Sequence, residues 1–382
     1  MLKTHVIKAL SAVGSAGALM VLCVVGAGGA AWASPAPVQP RPSVHLAALT
    51  VPGSFRPAAA SFVSATWGVV LGGAGCTASR ACRAQLASTA DGGAQWSVMR
   101  APAIWLGNSG SSQPQVSQVV FASRTDGWLY GSGSVWATHN GGASWRQSTL
   151  PGTIGTIAAS AHAVYAVVGN ELYSSPLGGN SWLRVSAGPR SGPVTGNALA
   201  VWGSSVWFGS STSVWATADG VHWARYSFRC SGLAYGEPYT LAGISAASAR
   251  DVAFLCAAPQ GMFKTVMKVL VSADGARSGW QTLKAPPLEG DVAGFAAAPG
   301  GFGTIAIAVV TPGLDNIYRV PTLGQSWTTF GIPGTSGGFP LNSLQFMSPA
   351  VGSLVVGDPV FGIPSELLWT ANAGQTWYPV RF

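Results

Sequence analysis

The chain has 382 residues, of which only 8% are charged and 48% hydrophobic, with a formal net charge of +8. Ordinary globular proteins carry roughly 25% charged residues, so acid–base chemistry has few side chains to draw on. Arginine outnumbers lysine but forms no cluster, which excludes a nucleic-acid groove from the expected functions. Gly, Ala, Ser, Thr and Val dominate, and beyond residue 40 no long stretch keeps a 3.6-residue apolar period, so sheet is expected rather than helix.

In chain order, Lys3 and Lys8 precede an apolar stretch over 9–30, and Ala31-Trp32-Ala33 offers an A-x-A cleavage site. Residues 1–33 are therefore predicted to be a signal peptide, with a retained N-terminal anchor as the alternative. The protein is expected to be secreted or extracytoplasmic. No later segment is apolar for about 18 residues, so no further membrane span is expected. Residues 34–59, rich in proline, read as a linker in which Val44–Val51 offers an extra edge strand. Residues 60–382 form one domain.

That domain is repetitive. The segment 117–151 divides into strand A (117–122), the turn SRTDG, strand B (WLYG), strand C (SVWAT), an Asn-Gly-Gly turn and strand D opening at Trp145. The same C-turn-D unit recurs with its tryptophan at Trp96, Trp145, Trp182, Trp223, Trp280, Trp327 and Trp377. Their spacing falls around the roughly 40–50 residues of a propeller blade. The expected fold is all-β: a seven-bladed propeller of four-stranded antiparallel blades.

In five turns a short acceptor, Asp91, Asn140, Asp219, Asp274 or Asn372, follows a Ser or Thr by two residues and precedes glycine or alanine. Such a side chain can accept backbone N–H groups of its own turn. The pattern, as in T-x-D-G-G-x-x-W, resembles the Asp-box or BNR repeat of sialidases, sortilin-type receptors and exported propellers similar to photosystem II assembly factors. Leu177 and Thr322 depart from it, so those two turns are expected to be looser. The resemblance implies scaffold roles for Asp91, Trp96, Asn140, Trp145, Asp219, Trp223, Asp274, Trp280, Asn372 and Trp377.

Blade topology puts the A–B and C–D turns on one face and the B–C and D–A connections on the other. The long connections, 73–84, 100–115, 227–240, 256–268, 284–291, 311–316 and 357–366, all belong to the second set. Function is expected there, around the channel mouth. Beyond the signal, four cysteines remain; they allow three pairings, and the loop topology favours Cys76–Cys82 and Cys230–Cys256. Trp105, Phe228, Phe263, Phe339, Phe361 and Arg229 supply aromatic and basic material for a protein- or glycan-binding surface. The resemblance also implies an alternative, a sialidase-like glycosidase with Tyr235 or Tyr239 as nucleophile and Glu237 as base; Arg56 stands in a partial match to that family's F-R-I-P motif. No histidine falls on this face, and no cofactor or metal motif is present, so none is expected. The expected protein is a monomeric, non-enzymatic binding scaffold with an envelope or extracellular partner.

Overall fold

The computed structural model describes residues 50–77, 82–107, 114–131, 134–186, 199–228, 230, 232–287, 289–321 and 323–382. The predicted signal peptide, residues 34–49, Arg229 and Thr322 lie outside them. The described chain forms seven four-stranded antiparallel sheets, each built from one continuous segment with its strands in chain order. The first strands, here strand A of blades I to VII, are Phe55–Phe62, Gln118–Phe121, Ile154–Ala159, Leu199–Trp202, Thr240–Ala246, Asp291–Ala297 and Leu341–Phe346. Each lies beside the next and the last lies beside the first, which closes a seven-bladed propeller. Among the described residues no helix is long and apolar enough to cross a membrane.

There is no single core. Buried side chains form seven clusters, one at each junction between neighbouring blades. Strand B of blade IV, Ser205–Gly209, shows the cause: Val206 and Phe208 face blade III, while Trp207 faces blade V. Both faces of a middle strand are covered, so such strands read as unbroken apolar runs rather than alternating ones.

The ring closes without a shared strand. At the VII–I junction Ala60 N donates to Ser343 Oγ (3.1 Å) and Phe62 N to Gln345 Oε1 (3.4 Å). The same device operates elsewhere: Phe121 N donates to Ser61 Oγ (2.9 Å) and Ala297 N to Ser245 Oγ (2.8 Å). Phe62 meets Trp369 edge-on at 5.1 Å, and Phe382 packs against both Phe55 and Trp96 at 4.8 Å.

The structure shifts some sequence boundaries. Blade I begins at Phe55, inside the segment assigned to the linker, and Val51 is buried beside it. Pro57 suggested linker, but it sits at a register shift in strand A, where a missing ladder donor is tolerated. Of the expected edge strand, Thr50 forms one antiparallel bridge to Ser97. Residues 256–268, assigned to a connecting loop, are instead the outer half of a long hairpin, Val252–Gly261 with Lys264–Ser272, and Pro259 again sits at a register shift.

Candidate functional site

The repeat turns are closed by their own side chains. In blade I, Thr89 Oγ1 donates to Asp91 Oδ1 (2.8 Å) and accepts from Gly93 N (2.9 Å), while Asp91 Oδ1 accepts from Gln95 N (2.9 Å). Asn140 and Asn372 repeat this, each accepting a backbone N–H four residues on at 2.9 Å and donating its amide to the side chain there, Ser144 or Thr376. Hydrogen bonds, first from Gln95 N, lower the carboxyl of Asp91. Burial raises Asp274, but hydrogen bonds from Ser272, Ser278 and Arg277 outweigh it and hold the carboxyl at about 2. Asp219 is held well below the usual carboxylate range, chiefly by the His222 ring at 2.6 Å, and in return raises that imidazole.

Six of the seven repeat tryptophans divide into two sets. Trp96, Trp223 and Trp377 donate to a glycine carbonyl in their own turn. Trp145 donates to Arg100 O (2.8 Å), Trp182 to Ser148 Oγ (3.1 Å) and Trp327 to Lys284 O (2.6 Å), each on the outer strand, or its exit, of the preceding blade. Trp280 packs on Phe228 and Phe254 at 5.3 and 5.0 Å. Phe228, expected on the loop surface, is only 3% exposed, because this aromatic cluster fills the IV–V junction. The A–B turns lie on the same face as the C–D turns: Thr66, Thr125, Arg250 and Ala350 carbonyls accept from Gly92, Gly141, Gly275 and Ala373.

On the opposite face two braced hairpins stand out. The D–A connection between blades IV and V folds into a hairpin, with Leu233–Ala234 pairing Glu237–Pro238. Tyr235 (φ 52°) and Gly236 (φ 90°) form its two-residue tip, and positive φ at both central positions is what a type I′ turn requires. Beside it rises the long hairpin of blade V, tipped by Met262 and Phe263, the latter at φ 56°. The Cys230–Cys256 disulfide and the Gln260 Nε2–Ala234 O bond (2.9 Å) tie the two together. The far side of the blade V hairpin is fastened to the next connection, where Gly290 N donates to Phe263 O (2.8 Å) and Thr265 Oγ1 to Asp291 Oδ1 (3.3 Å). The other disulfide joins Cys76 and Cys82. Both pairings are the ones the loop topology favoured.

Tyr235 and Glu237 thus occupy an exposed hairpin, Tyr235 being 80% exposed. Burial, with the charge of Tyr235 adding to it, raises the phenol of Tyr239, and a tyrosine nucleophile needs the opposite shift. Trp105 is half-buried under the Arg83 guanidinium, 4.4 Å from its ring centre, and belongs to a short parallel pair, Trp105–Leu106 with Gln115–Val116. Phe339 is partly buried against the VI–VII core. Phe361 remains 65% exposed in a 3-10 turn, Pro359–Phe361, capped by Asp358.

The channel mouth also opens on this face. Strand A carries a register shift at its entry in blades I, III, V, VI and VII. A bulge leaves an unpaired residue and re-aims the chain. Residues at the shifts, Gly155, Ala293 and Ser343, line a cavity of about 260 Å³ with Gln118 and Asn342. Ser343 holds φ 55° there while accepting the Ala60 N–H of blade I. Gln118 and Asn342 also line a second cavity of about 280 Å³ beneath Phe361. The residue skipped at the shift is small in blades I, III, V and VI, namely Ala58, Gly155, Ala242 and Ala293, but Gly and Ala are too common in this sequence to mark the shifts beforehand. A larger cavity of about 780 Å³ lies on the Asp/Asn-turn face between blades IV and V, lined by Trp207, Asp219, His222, Tyr226, Arg250 and Arg277. It is on the face away from the long connections, where only scaffold turns were expected. Among the described residues no group of three His, Cys, Asp or Glu is placed to hold a metal ion.

The fold and these two faces define a disulfide-bearing, seven-bladed propeller. No family model matches the chain, and no curated protein matches it significantly. Among solved structures it is similar to YCF48 from Cyanidioschyzon merolae at 14% identity, covering 85% of this chain and 98% of that one with a TM-score of 0.53. It is similar also to KlHsv2 with loop 6CD replaced by a Gly-Ser linker, at 9% identity, 82% and 93% coverage and a TM-score of 0.52. A structure of YCF48 bound to D1 peptide aligns at 17% identity, 85% and 96% coverage and a TM-score of 0.49. At these identities the first two likenesses, with TM-scores above 0.5, speak to the fold alone.

Proposed function

We propose that the protein is an exported, non-enzymatic scaffold that docks a protein partner on its loop face, through the paired hairpins of blades IV and V. One observation carries this reading. Tyr235 and Met262, 80% and 85% exposed, crown two hairpins held together by a disulfide, and Tyr235 and Phe263 are kept in a left-handed conformation that bulky residues avoid. Positive φ at such residues costs on the order of 1–3 kcal/mol each and persists where the surroundings over-determine it, typically at functional sites. An exposed aromatic on a rigid loop gives large contact area at little entropic cost. The two disulfides and a predicted signal peptide support export.

The test is capture from the extracytoplasmic fraction of the native cell by the mature protein, beside a Tyr235→Ser, Met262→Ser double variant. Both side chains are exposed, so the variant should keep the wild-type thermal midpoint. A partner retained by the wild type and lost by the variant is expected. A partner retained equally by both would remove these hairpins as the docking surface. Turnover of fluorogenic glycosides that is lost in Glu237→Gln would overturn the non-enzymatic reading.

A further inference from the structure

We propose that the cavity beneath Phe361, at the channel mouth between blades VII, I and II, binds the cationic side chain of a polypeptide, a lysine ammonium or an arginine guanidinium. This site lies away from the hairpins of blades IV and V and does not depend on their role. Its walls bring together three kinds of group. Asp358 supplies a carboxylate, Gln118 and Asn342 supply carboxamides, and Leu106 and Phe361 supply apolar surface, around about 280 Å³.

The polar groups are left over from the fold. Asp358 Oδ1 accepts from Val360 N (2.8 Å) and so caps the turn that carries Phe361. Asp358 forms no ion pair among the described residues, although the protein carries a net charge of +8. Neither Gln118 nor Asn342 uses its side-chain amide in a hydrogen bond with the rest of the described protein. Both side chains also face the adjoining cavity of about 260 Å³, so a bound side chain has room for its main chain to follow toward the channel.

These groups select the ligand. A partly buried carboxyl repels an anion and stabilises a cation that brings its own donors. Lysine presents three N–H donors and arginine five, matching one free carboxylate oxygen and two carboxamide oxygens. The Phe361 ring at the rim offers an apolar surface for the aliphatic stem and a face for the charge. The loop is held in place to do so. Gly357 sits at φ 84°, and a Cβ there would collide with the Pro364 carbonyl, so the chain turns sharply and delivers Asp358 into the cavity. Burial raises the Asp358 carboxyl, while the N–H groups of Val360 and Phe361 oppose the rise.

The test uses the full mature protein and three capped tripeptides, Gly-Lys-Gly, Gly-Arg-Gly and Gly-norleucine-Gly, titrated by calorimetry or NMR. The lysine and arginine peptides should bind about tenfold or more tightly than the norleucine peptide, and Asp358→Asn should abolish that preference. Binding should weaken as pH falls and Asp358 takes up a proton. Gln118→Leu leaves the Asp358 cap intact and should also weaken binding, which keeps the idea testable if Asp358→Asn does not fold. Equal binding of the norleucine peptide, or unchanged binding in a folded Asp358→Asn and in Gln118→Leu, overturns the proposal. So does tighter binding of free cadaverine than of the lysine peptide, which would mark a small-amine site.

Discussion

Removing the covalent tie between the two loop-face hairpins should cost more than removing the other disulfide. Cys230 and Cys256 are 26 residues apart, and Cys76 and Cys82 are 6 apart. On the chain-entropy account, a cross-link destabilises the unfolded chain by an amount that grows as 1.5RT ln n. For the 26-residue separation that is about 3.5 kcal/mol, and for the 6-residue one about 2.2. The difference, about 1.3 kcal/mol, does not depend on the additive constant common to both loops. Substituting the cysteines would add packing losses, because Cys230, Cys256 and Cys82 are all buried. The clean comparison therefore uses two variants, Cys76→Ala with Cys82→Ala, and Cys230→Ala with Cys256→Ala, each unfolded in urea with and without reductant. The loss of stability on reduction then reports the remaining disulfide alone. It should be larger in the variant that keeps Cys230–Cys256. An equal or larger loss in the variant that keeps Cys76–Cys82 would refute the argument.

Three further outcomes follow from the turns. Thr138→Val leaves the Gly142 N–H without its acceptor in a buried site, so it should cost about 1–3 kcal/mol in urea unfolding. Trp145→Phe removes the Trp145 Nε1–Arg100 O bond across the I–II junction while keeping an aromatic ring. A loss of about 1 kcal/mol is expected, and a loss near zero would show that packing alone holds this junction. The Asp274 carboxyl is held at about 2; a folded value below the unfolded one contributes stability above the ordinary carboxylate range and loses it as pH falls toward 2. Asp274→Asn should therefore flatten the decline in stability between about pH 4 and pH 2, followed by circular dichroism; an unchanged acid limb would count against the hydrogen bonds as its source.

The seven-blade plan is legible in the sequence because one physical problem, turning the chain between strands C and D, is solved repeatedly with the same residues. Asp91, Asn140, Asp219, Asp274 and Asn372 all accept backbone N–H groups in their turns. Two prolines point the wrong way. Pro57 and Pro259 would mark loops in most sequences, yet both sit at strand irregularities where no ladder donor is needed. Phe228 looks like surface because its neighbours in sequence are polar, while its neighbours in space, Phe254 and Trp280, come from the next blade. The cavities at the channel mouth are hidden for the same reason. Asn342 and Asp358 belong to blade VII and Gln118 to blade II, far away in sequence, and only closure of the ring brings Gln118 to the other two.

That ring behaves as a hoop with side-chain joints. Ser61, Ser245 and Ser343 each hold a neighbouring blade by one hydroxyl, so the VII–I joint shares this serine bond with the I–II and V–VI joints. Within a blade, widening means breaking a ladder of backbone bonds; between blades it means slipping a few isolated hydrogen bonds, such as Phe62 N–Gln345 Oε1, Trp145 Nε1–Arg100 O and Trp327 Nε1–Lys284 O, over an apolar contact. A change in the bore would therefore be taken up at the junctions and not inside the blades, and least at the IV–V junction, where the Cys230–Cys256 disulfide adds a covalent tie.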